Sequence, residues 1–202
     1  MKNLTLTFDE DLHKYTDGNG LTIPSVTQIM KTAGLVNLDW IPVEILEAKA
    51  DLGKKVHSAT ELYDRNDLNF DALHPALMSY LNGWIKFRKD FKFEPTEIEM
   101  QLLHTVYRYA GRIDRVGLMG SDLTLLDIKS GTKQKTHAIQ TAGYELLYNQ
   151  NKKGIDLIKR RLVVYLSPDS YEVEEHKNKN DKSIFLAALT ITNYLNNIRR
   201  PQ

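Results

Sequence analysis

Apolar side chains recur every three or four residues in five stretches of the chain, the period of an α-helix with one buried face. Pro24-Ser25 precedes the first stretch as a helix cap, and Pro42 suits the first turn of the second. Asp181 or Ser183 is expected to cap the last stretch. The predicted helices are 26–32, 41–65, 73–91, 136–151 and one that ends at about 198.

Two of these helices carry apolar stripes that we expect to face the core. In the second helix the stripe consists of Ile45, Ala48 or Lys49, Leu52, Val56, Ala59 and Tyr63. In the last helix it consists of Ile184, Ala187 or Ala188, Ile191, Tyr194 or Leu195, and Ile198.

Alternating or continuous apolar runs between the helices predict strands. The expected strands are 95–102, 106–116, 123–128, 158–167 and 171–175. An N-terminal hairpin is expected from the alternation in 4–15 and the turn signal Asp17-Gly18-Asn19-Gly20 before 21–23. The chain is expected to form one domain, with an extension over 1–40, a core over 41–167 and a C-terminal strand and helix over 168–202.

The predicted strands 106–116 and 123–128 carry charged side chains among apolar residues. Asp114 lies on the first, and the second ends in Asp127-Ile128-Lys129 after the apolar run Leu123-Thr124-Leu125-Leu126. Alternation places Asp127 and Lys129 on one face, roughly 6–7 Å apart. Such a pair is commonly an exposed ion pair that contributes less than about 1 kcal/mol. Because buried charges are costly unless paired or metal-bound, the apolar run favours a site for a divalent cation and a water molecule.

Four motifs in order resemble those of one enzyme superfamily. They are Gly53-x-x-x-His57-x-x-x-Glu61, then GRIDRVG and LLDIKSG, whose aspartates are thirteen positions apart, then Gln140-x-x-x-Tyr144. The pattern resembles the PD-(D/E)XK nuclease superfamily, and most closely its RecB-type branch of phage and CRISPR-associated exonucleases. The resemblance implies an α/β fold with a restriction-endonuclease-like core. That core is a mixed central sheet flanked by helices in α-β-β-β-α-β order, here with a small N-terminal hairpin extension.

The resemblance also implies roles for the motif residues. Asp114 and Asp127 would be the principal ligands of one or two Mg²⁺ or Mn²⁺ ions, with the Ile128 carbonyl and His57 completing the shell. An imidazole ligand favours Mn²⁺ more than an all-oxygen site does. Lys129 would either deprotonate the attacking water or stabilise charge on the phosphate.

The remaining candidates each have an ordinary structural alternative. Glu61 would bind the metal through water or pair with Lys129, or be a surface charge of its helix. Gln140 and Tyr144 would hold the scissile strand or order the face of the site, or form a surface pair. The family places a glutamate of the preceding strand near the metal, and alternation does not choose between Glu97 and Glu99, although we prefer Glu99. Arg112 could contact DNA or form a packing salt bridge.

Composition narrows the function classes. The chain has 202 residues, of which 42% are hydrophobic, with no run approaching a membrane span of about 20 residues. The N-terminus lacks an apolar signal core, so a cytoplasmic protein of a bacterium or a phage-infected cell is expected. Cysteine is absent, which excludes disulfides, zinc–thiolate sites and the cysteine-bound iron–sulfur cluster of some members of the branch.

Charge alone does not identify a nucleic-acid partner, because the net charge is only +1. Basic clusters could be solvated faces or a rim that follows phosphates. The clusters are Lys133 with Lys135, Lys152-Lys153, Lys159-Arg160-Arg161, Lys177 with Lys179 and Lys182, and Arg199-Arg200.

The leading interpretation is a metal-dependent DNA exonuclease of phage or bacterial recombination and repair, acting on single- or double-stranded DNA with free ends. One alternative is a structure-specific endonuclease or nickase of the same fold. Another is a non-catalytic nucleic-acid-binding module, which typically loses a carboxylate or the lysine, whereas Asp114, Asp127 and Lys129 are all present. A homo-oligomer or a protein partner in recombination or replication is compatible with each interpretation.

Overall fold

The computed structural model describes residues 6–9, 14–150, 152 and 156–198. Its centre is a five-stranded mixed sheet in which strands follow their chain order. The strands are β4 (Phe93–His104), β5 (Tyr109–Met119), β6 (Asp122–Lys129), β7 (Arg160–Ser167) and β8 (Ser170–Glu175). β6 and β7 are parallel and the other neighbours are antiparallel. The parallel pair requires a crossover, which α4 (Thr136–Asn149) supplies.

Five helices accompany this sheet. Besides α4 they are α1 (Val26–Thr32), α2 (Val43–Asp64), α3 (Pro75–Phe91) and α5 (Asn180–Ile198). Ser25 and Gln28 form a reciprocal capping box that starts α1, and Pro75 occupies the first turn of α3. No helix in the described part of the chain has an apolar segment long and pure enough to cross a bilayer.

Adjacent side chains of the sheet enter two different cores. Leu125 lies in a core with α1, α4 and α5, whereas Leu126 lies in a core with α2 and α3. The first core includes Tyr109 and Phe185, and the second includes Trp84. The sheet is therefore the middle layer between two helical layers, and both of its faces are apolar. The expected α/β fold class, with helices on both sides of a mixed sheet, is confirmed.

A second, three-stranded sheet lies before α1. It consists of β1 (Leu6–Asp9), β2 (Lys14–Asp17) and β3 (Thr22–Ile23), all antiparallel. The Asp17 carboxylate accepts from the amides of Asn19 and Leu21 in the turn, and it pairs with Arg108 of the β4–β5 connection. These contacts fasten the expected N-terminal hairpin to the main sheet. The part of the expected 4–15 segment that covers residues 4, 5 and 10–13 lies outside the described residues.

Several predicted details were wrong. The strand expected from residue 106 begins at Tyr109, because residues 105–108 form a turn in which Arg108 has φ of +56°. α4 ends at Asn149 rather than at 151. α5 begins at Asn180, so neither Asp181 nor Ser183 precedes it as a cap, and Asp181 pairs instead with buried Arg161.

The inward faces of two helices also differ from expectation. In α2 only Val56, Ala59 and Thr60 are buried, whereas Ile45 in the N-terminal turns is exposed and Leu52 is only partly buried. In α5 the buried residues are Asp181, Phe185, Ala188, Leu189 and Thr192. Ile184, Ile191 and Ile198, which were expected to face inward, are exposed; of the alternatives, Ala188 is buried, Leu195 is partly buried and Tyr194 is exposed. The sequence places apolar residues on two faces of α5, and only one of them meets the sheet layer.

Candidate active site

A cleft of about 680 Å³ opens between the N-terminal sheet, α2, α4 and the strands β4 to β6. Its walls are contributed by Tyr15 from β2, by Gly53 and Lys54 from α2, and by the start of α1. Polar and charged side chains of the central strands form its floor. This is the place in the fold where the predicted motif residues meet.

His57 and Asp114 are connected through the backbone of Ile128. The Ile128 amide donates to Asp114 Oδ2 at 2.7 Å, and His57 Nε2 lies 2.9 Å from the Ile128 carbonyl oxygen. Because a carbonyl only accepts, Nε2 carries the hydrogen. The other ring nitrogen, Nδ1, then points at the carboxylates, 3.8 Å from Asp114 Oδ2 and 3.6 Å from Glu99 Oε1. A backbone carbonyl that fixes one nitrogen is the usual arrangement for a metal-binding histidine.

Glu99 joins these two residues because its backbone leaves the regular strand conformation. Its φ is +50°, in the left-handed region, and the β4–β5 register shifts at Pro95/Glu97. A left-handed residue within a strand redirects its side chain, as β-bulges do beside active sites. Glu99 lines the cleft, and Glu97 does not lie among the lining residues.

One ligand atom each from His57, Glu99 and Asp114 lies within 4.8 Å of the other two. Burial lowers the pKa of His57, but the Asp114 and Glu99 carboxylates outweigh it, and the net direction is up. Burial raises the pKa of Glu99, but His57, Arg115 and Arg112 together hold it below its usual range. Two carboxylates and an imidazole at this spacing form a donor set that fits a divalent cation.

Asp127 and Lys129 lie beside this group on the same face of β6. Lys129 Nζ is 2.7 Å from Asp127 Oδ2, but that buried oxygen receives no bond of hydrogen-bonding geometry from the described residues. Burial and the nearby Asp114 raise the pKa of Asp127, although Lys129 opposes the rise. Burial lowers the pKa of Lys129, but the Asp127 and Asp114 carboxylates outweigh burial and raise this pKa above its usual value. The amine is therefore protonated in the metal-free protein. A second buried carboxylate, next to Asp114 and balanced by Lys129, also fits a cation in this cleft.

Gln140 and Tyr144 form one side of the cleft from α4. Gln140 Nε2 donates to Tyr144 Oη at 3.2 Å, and both side chains are buried. Burial, reinforced by Asp127 and Asp114, raises the pKa of Tyr144 well above its usual value, so the phenol remains a neutral donor. Gly111 permits this placement, because a Cβ there would lie 2.9 Å from Tyr144 Cε1.

Two predicted residues line the cleft but are already paired. Glu61 forms an i,i+4 ion pair with Arg65 at 3.0 Å, rather than pairing with Lys129. Arg112 Nε lies 3.1 Å from Glu99 Oε2, and its side chain is partly exposed. Arg112 therefore forms the packing salt bridge, with some of its surface turned to the cleft.

Most basic clusters outside the cleft are also in ion pairs. Lys133 pairs with Glu172, Arg160 with Glu175, and buried Arg161 with Glu145 and Asp181. Lys153, Arg199 and Arg200 lie outside the described residues. These pairs indicate that several of the clusters have structural partners.

Arg115 is the residue near the site that was missed. It follows Asp114 directly, and alternation sends it to the opposite face of β5, away from the cleft. Its guanidinium nevertheless contacts Glu99, because the left-handed turn of the backbone brings that carboxylate within reach. A signal existed in the sequence, since an arginine inside the apolar strand YAGRIDRVG requires a buried partner.

The fold and the cleft define an α/β protein with an acidic cleft over strands β4 to β6, whose side chains fit a divalent cation. The chain belongs to the PD-(D/E)XK nuclease superfamily, whose family model matches residues 43–200. The superfamily resemblance read from the motifs is thus confirmed. Membership implies a metal-dependent nuclease with a nucleic-acid substrate.

Solved structures with a similar arrangement are distant. The protein SSO0001 is 18% identical, with 71% of this chain and 72% of that chain covered and a TM-score of 0.39. A proposed exonuclease from Eubacterium rectale is 11% identical, with coverage of 71% and 68% and a TM-score of 0.45. No curated protein matches the chain.

Proposed function

We propose that the protein is a Mg²⁺- or Mn²⁺-dependent DNA exonuclease of the RecB-type branch, which serves phage or bacterial recombination and repair. The observation that carries the proposal is the convergence of His57, Glu99 and Asp114 within 4.8 Å, beside the buried pair of Asp127 and Lys129. We further propose that the whole chain acts as one nuclease domain.

The residues divide the chemistry between them. His57 Nδ1, Glu99 and Asp114 would hold the cation, with the Asp127 carboxylate, which also pairs with Lys129, as a further ligand. A bound divalent cation neutralises the phosphate and activates water. The Ile128 carbonyl oxygen accepts the His57 Nε2 hydrogen and so orients the ring. Its second lone pair remains available to the metal, so the carbonyl is still a candidate ligand. Lys129, held beside Asp127, would either deprotonate the attacking water or stabilise negative charge on the phosphate.

The other lining residues would position the nucleic acid. Gln140 and the neutral phenol of Tyr144, which both line the cleft from α4, offer donors to the strand being cut. Arg112 offers its partly exposed guanidinium to a phosphate. The N-terminal sheet closes one side of the cleft, which suits a strand that enters by its end.

Hydrolysis of two DNA substrates tests the proposal. Linear DNA labelled at each end and a covalently closed single-stranded circle are incubated with Mg²⁺ or Mn²⁺, and with EDTA in parallel. We expect the linear DNA to be shortened, the circle to persist and EDTA to abolish cleavage. Asp114→Asn and Asp127→Asn should lower the rate by at least about 100-fold. Asp122→Asn, the same change on β6 outside the cleft, should leave it intact.

Each alternative has its own outcome in this assay. Opening of the closed circle would identify an endonuclease or nickase. DNA binding without cleavage under any metal condition would identify a binding module and reject the catalytic proposal. Equal rates for Asp114→Asn and Asp122→Asn would show that the cleft is not the site of reaction.

A further inference from the structure

One guanidinium lies directly beneath the cleft and is connected, directly or through one hydroxyl, to His57, Glu99 and Asp114. Arg115 is fully buried, on the face of β5 opposite the cleft floor. Its Nη1 donates to Glu99 Oε1 at 2.9 Å and to the Asp114 carbonyl oxygen at 2.6 Å. Two of the three candidates are therefore bonded to the same nitrogen.

The third candidate is reached through a hydroxyl. Arg115 Nη2 donates to Thr60 Oγ1 at 3.2 Å, and Thr60 Oγ1 donates to the His57 carbonyl oxygen at 2.9 Å. Thr60 is fully buried and lies one turn after His57 on α2. The connection fixes the turn of the helix from which the imidazole projects.

The guanidinium itself is anchored from behind the sheet. Arg115 Nε donates to Asp64 Oδ2 at 2.6 Å, and Asp64 Oδ1 also accepts from Arg88 at 2.7 Å and from Trp84 at 3.0 Å. Two arginines thus balance the carboxylates of Asp64 and Glu99 in a buried network. A planar guanidinium with its five N–H donors can bond Asp64, Glu99 and Thr60 at the same time, whereas a lysine ammonium cannot reproduce this geometry.

We propose that Arg115 is the positioning residue of the metal centre: by holding Glu99, the Asp114 backbone and the His57 turn together, it sets the affinity for the cation. The left-handed conformation of Glu99 strengthens the argument, because such a backbone persists only where surrounding contacts over-determine it. The inference rests on the proposed nuclease function, since it concerns the same cation.

Arg88 provides a matched control, because it bonds the other oxygen of the same Asp64 carboxylate and, among the described contacts, meets none of the three candidates. Mn²⁺ binding to EDTA-stripped Arg115→Lys and Arg88→Lys is measured by calorimetry, with folding checked by circular dichroism and thermal melting. We expect about 10- to 100-fold weaker Mn²⁺ binding for Arg115→Lys, the range for residues that orient metal ligands. Arg88→Lys, even with an equal loss of melting temperature, should bind within about twofold of the parent.

Thr60 keeps the test decisive if Arg115→Lys does not fold. Thr60→Val removes the hydroxyl at constant shape, and Thr60→Ser restores it. We expect weaker Mn²⁺ binding for the valine variant and recovery for the serine variant. Parent-like affinity in both Arg115→Lys and Thr60→Val would overturn the inference while leaving the nuclease proposal intact. Failure of the unmodified protein to bind Mn²⁺ would refute the nuclease proposal, and this inference with it.

Discussion

Replacing Lys129 by methionine should destabilise the metal-free protein, because it leaves the buried Asp127 carboxylate without its cationic partner. The substitution removes the ammonium 2.7 Å from Asp127 Oδ2, while the Asp127 side chain is only 2% exposed. Breaking a buried pair by removing one partner costs about 3–5 kcal/mol. Because the Lys129 side chain is 24% exposed, water screens part of the loss, and we expect the lower end, about 3 kcal/mol. For a domain of this size that corresponds to a fall in Tm of roughly 6–12 °C.

The loss of stability should depend on pH. Burial raises the folded-state pKa of Asp127 above its unfolded value, so protonation favours the folded state. This contribution is complete below the unfolded pKa and is lost as pH rises through the folded pKa. Without Lys129 the folded pKa is higher still, and the decline extends to higher pH. The deficit relative to the parent should therefore be largest near pH 8 and should shrink on acidification.

Denaturant unfolding in EDTA from pH 5 to 8 measures these effects in the parent, Lys129→Met, Asp127→Asn and the double variant. The double variant should be more stable than Lys129→Met at pH 8, because the unpaired charge is gone. Our account of the pair is refuted if Lys129→Met is as stable as the parent at pH 8, or if adding Asp127→Asn restores nothing.

Two further predictions concern the walls of the cleft and its imidazole. Gly111→Ala places a Cβ 2.9 Å from the Tyr144 ring and should lower the free energy of unfolding by about 1–3 kcal/mol. Gly131→Ala, where a Cβ would meet no atom within 4 Å, should change that free energy by less than about 0.5 kcal/mol. Thermal or denaturant unfolding measures both variants, and equal effects would contradict the packing argument. Because the pKa of His57 is raised and a cation must displace its proton, Mn²⁺ affinity measured by calorimetry should rise up to about tenfold per pH unit below that pKa and then level off. His57→Gln should flatten the slope, and an unchanged slope would assign the proton to another group.

The sequence predicted the face of the sheet on which a side chain lies wherever strand alternation is regular. Asp127 and Lys129 share a face because alternation in β6 is regular, and antiparallel pairing of β5 with β6 brings Asp114 alongside. The same rule could not choose between Glu97 and Glu99. The φ of +50° at Glu99 interrupts alternation, and no residue type in the strand announces that interruption.

The faces of α5 show a second limit. Both the stripe that contains Ile184 and Ile191 and the one that contains Phe185 and Leu189 have helical spacing. The choice is made by a partner distant in sequence, because Gly143 of α4 leaves the room that the Phe185 ring fills: a Cβ there would lie 2.7 Å from that ring. Periodicity within one helix contains no information about such a fit.

The exposed N-terminal turns of α2 have a mechanical consequence for the imidazole. Val43, at the free end, is fourteen residues from His57, roughly 21 Å along the axis at about 1.5 Å per residue. The packed residues Val56, Ala59 and Thr60 act as the pivot of this rod, and His57 sits at that pivot. Because the ring lies beside these packed residues, bending of the exposed N-terminal turns leaves it facing Glu99 and Asp114.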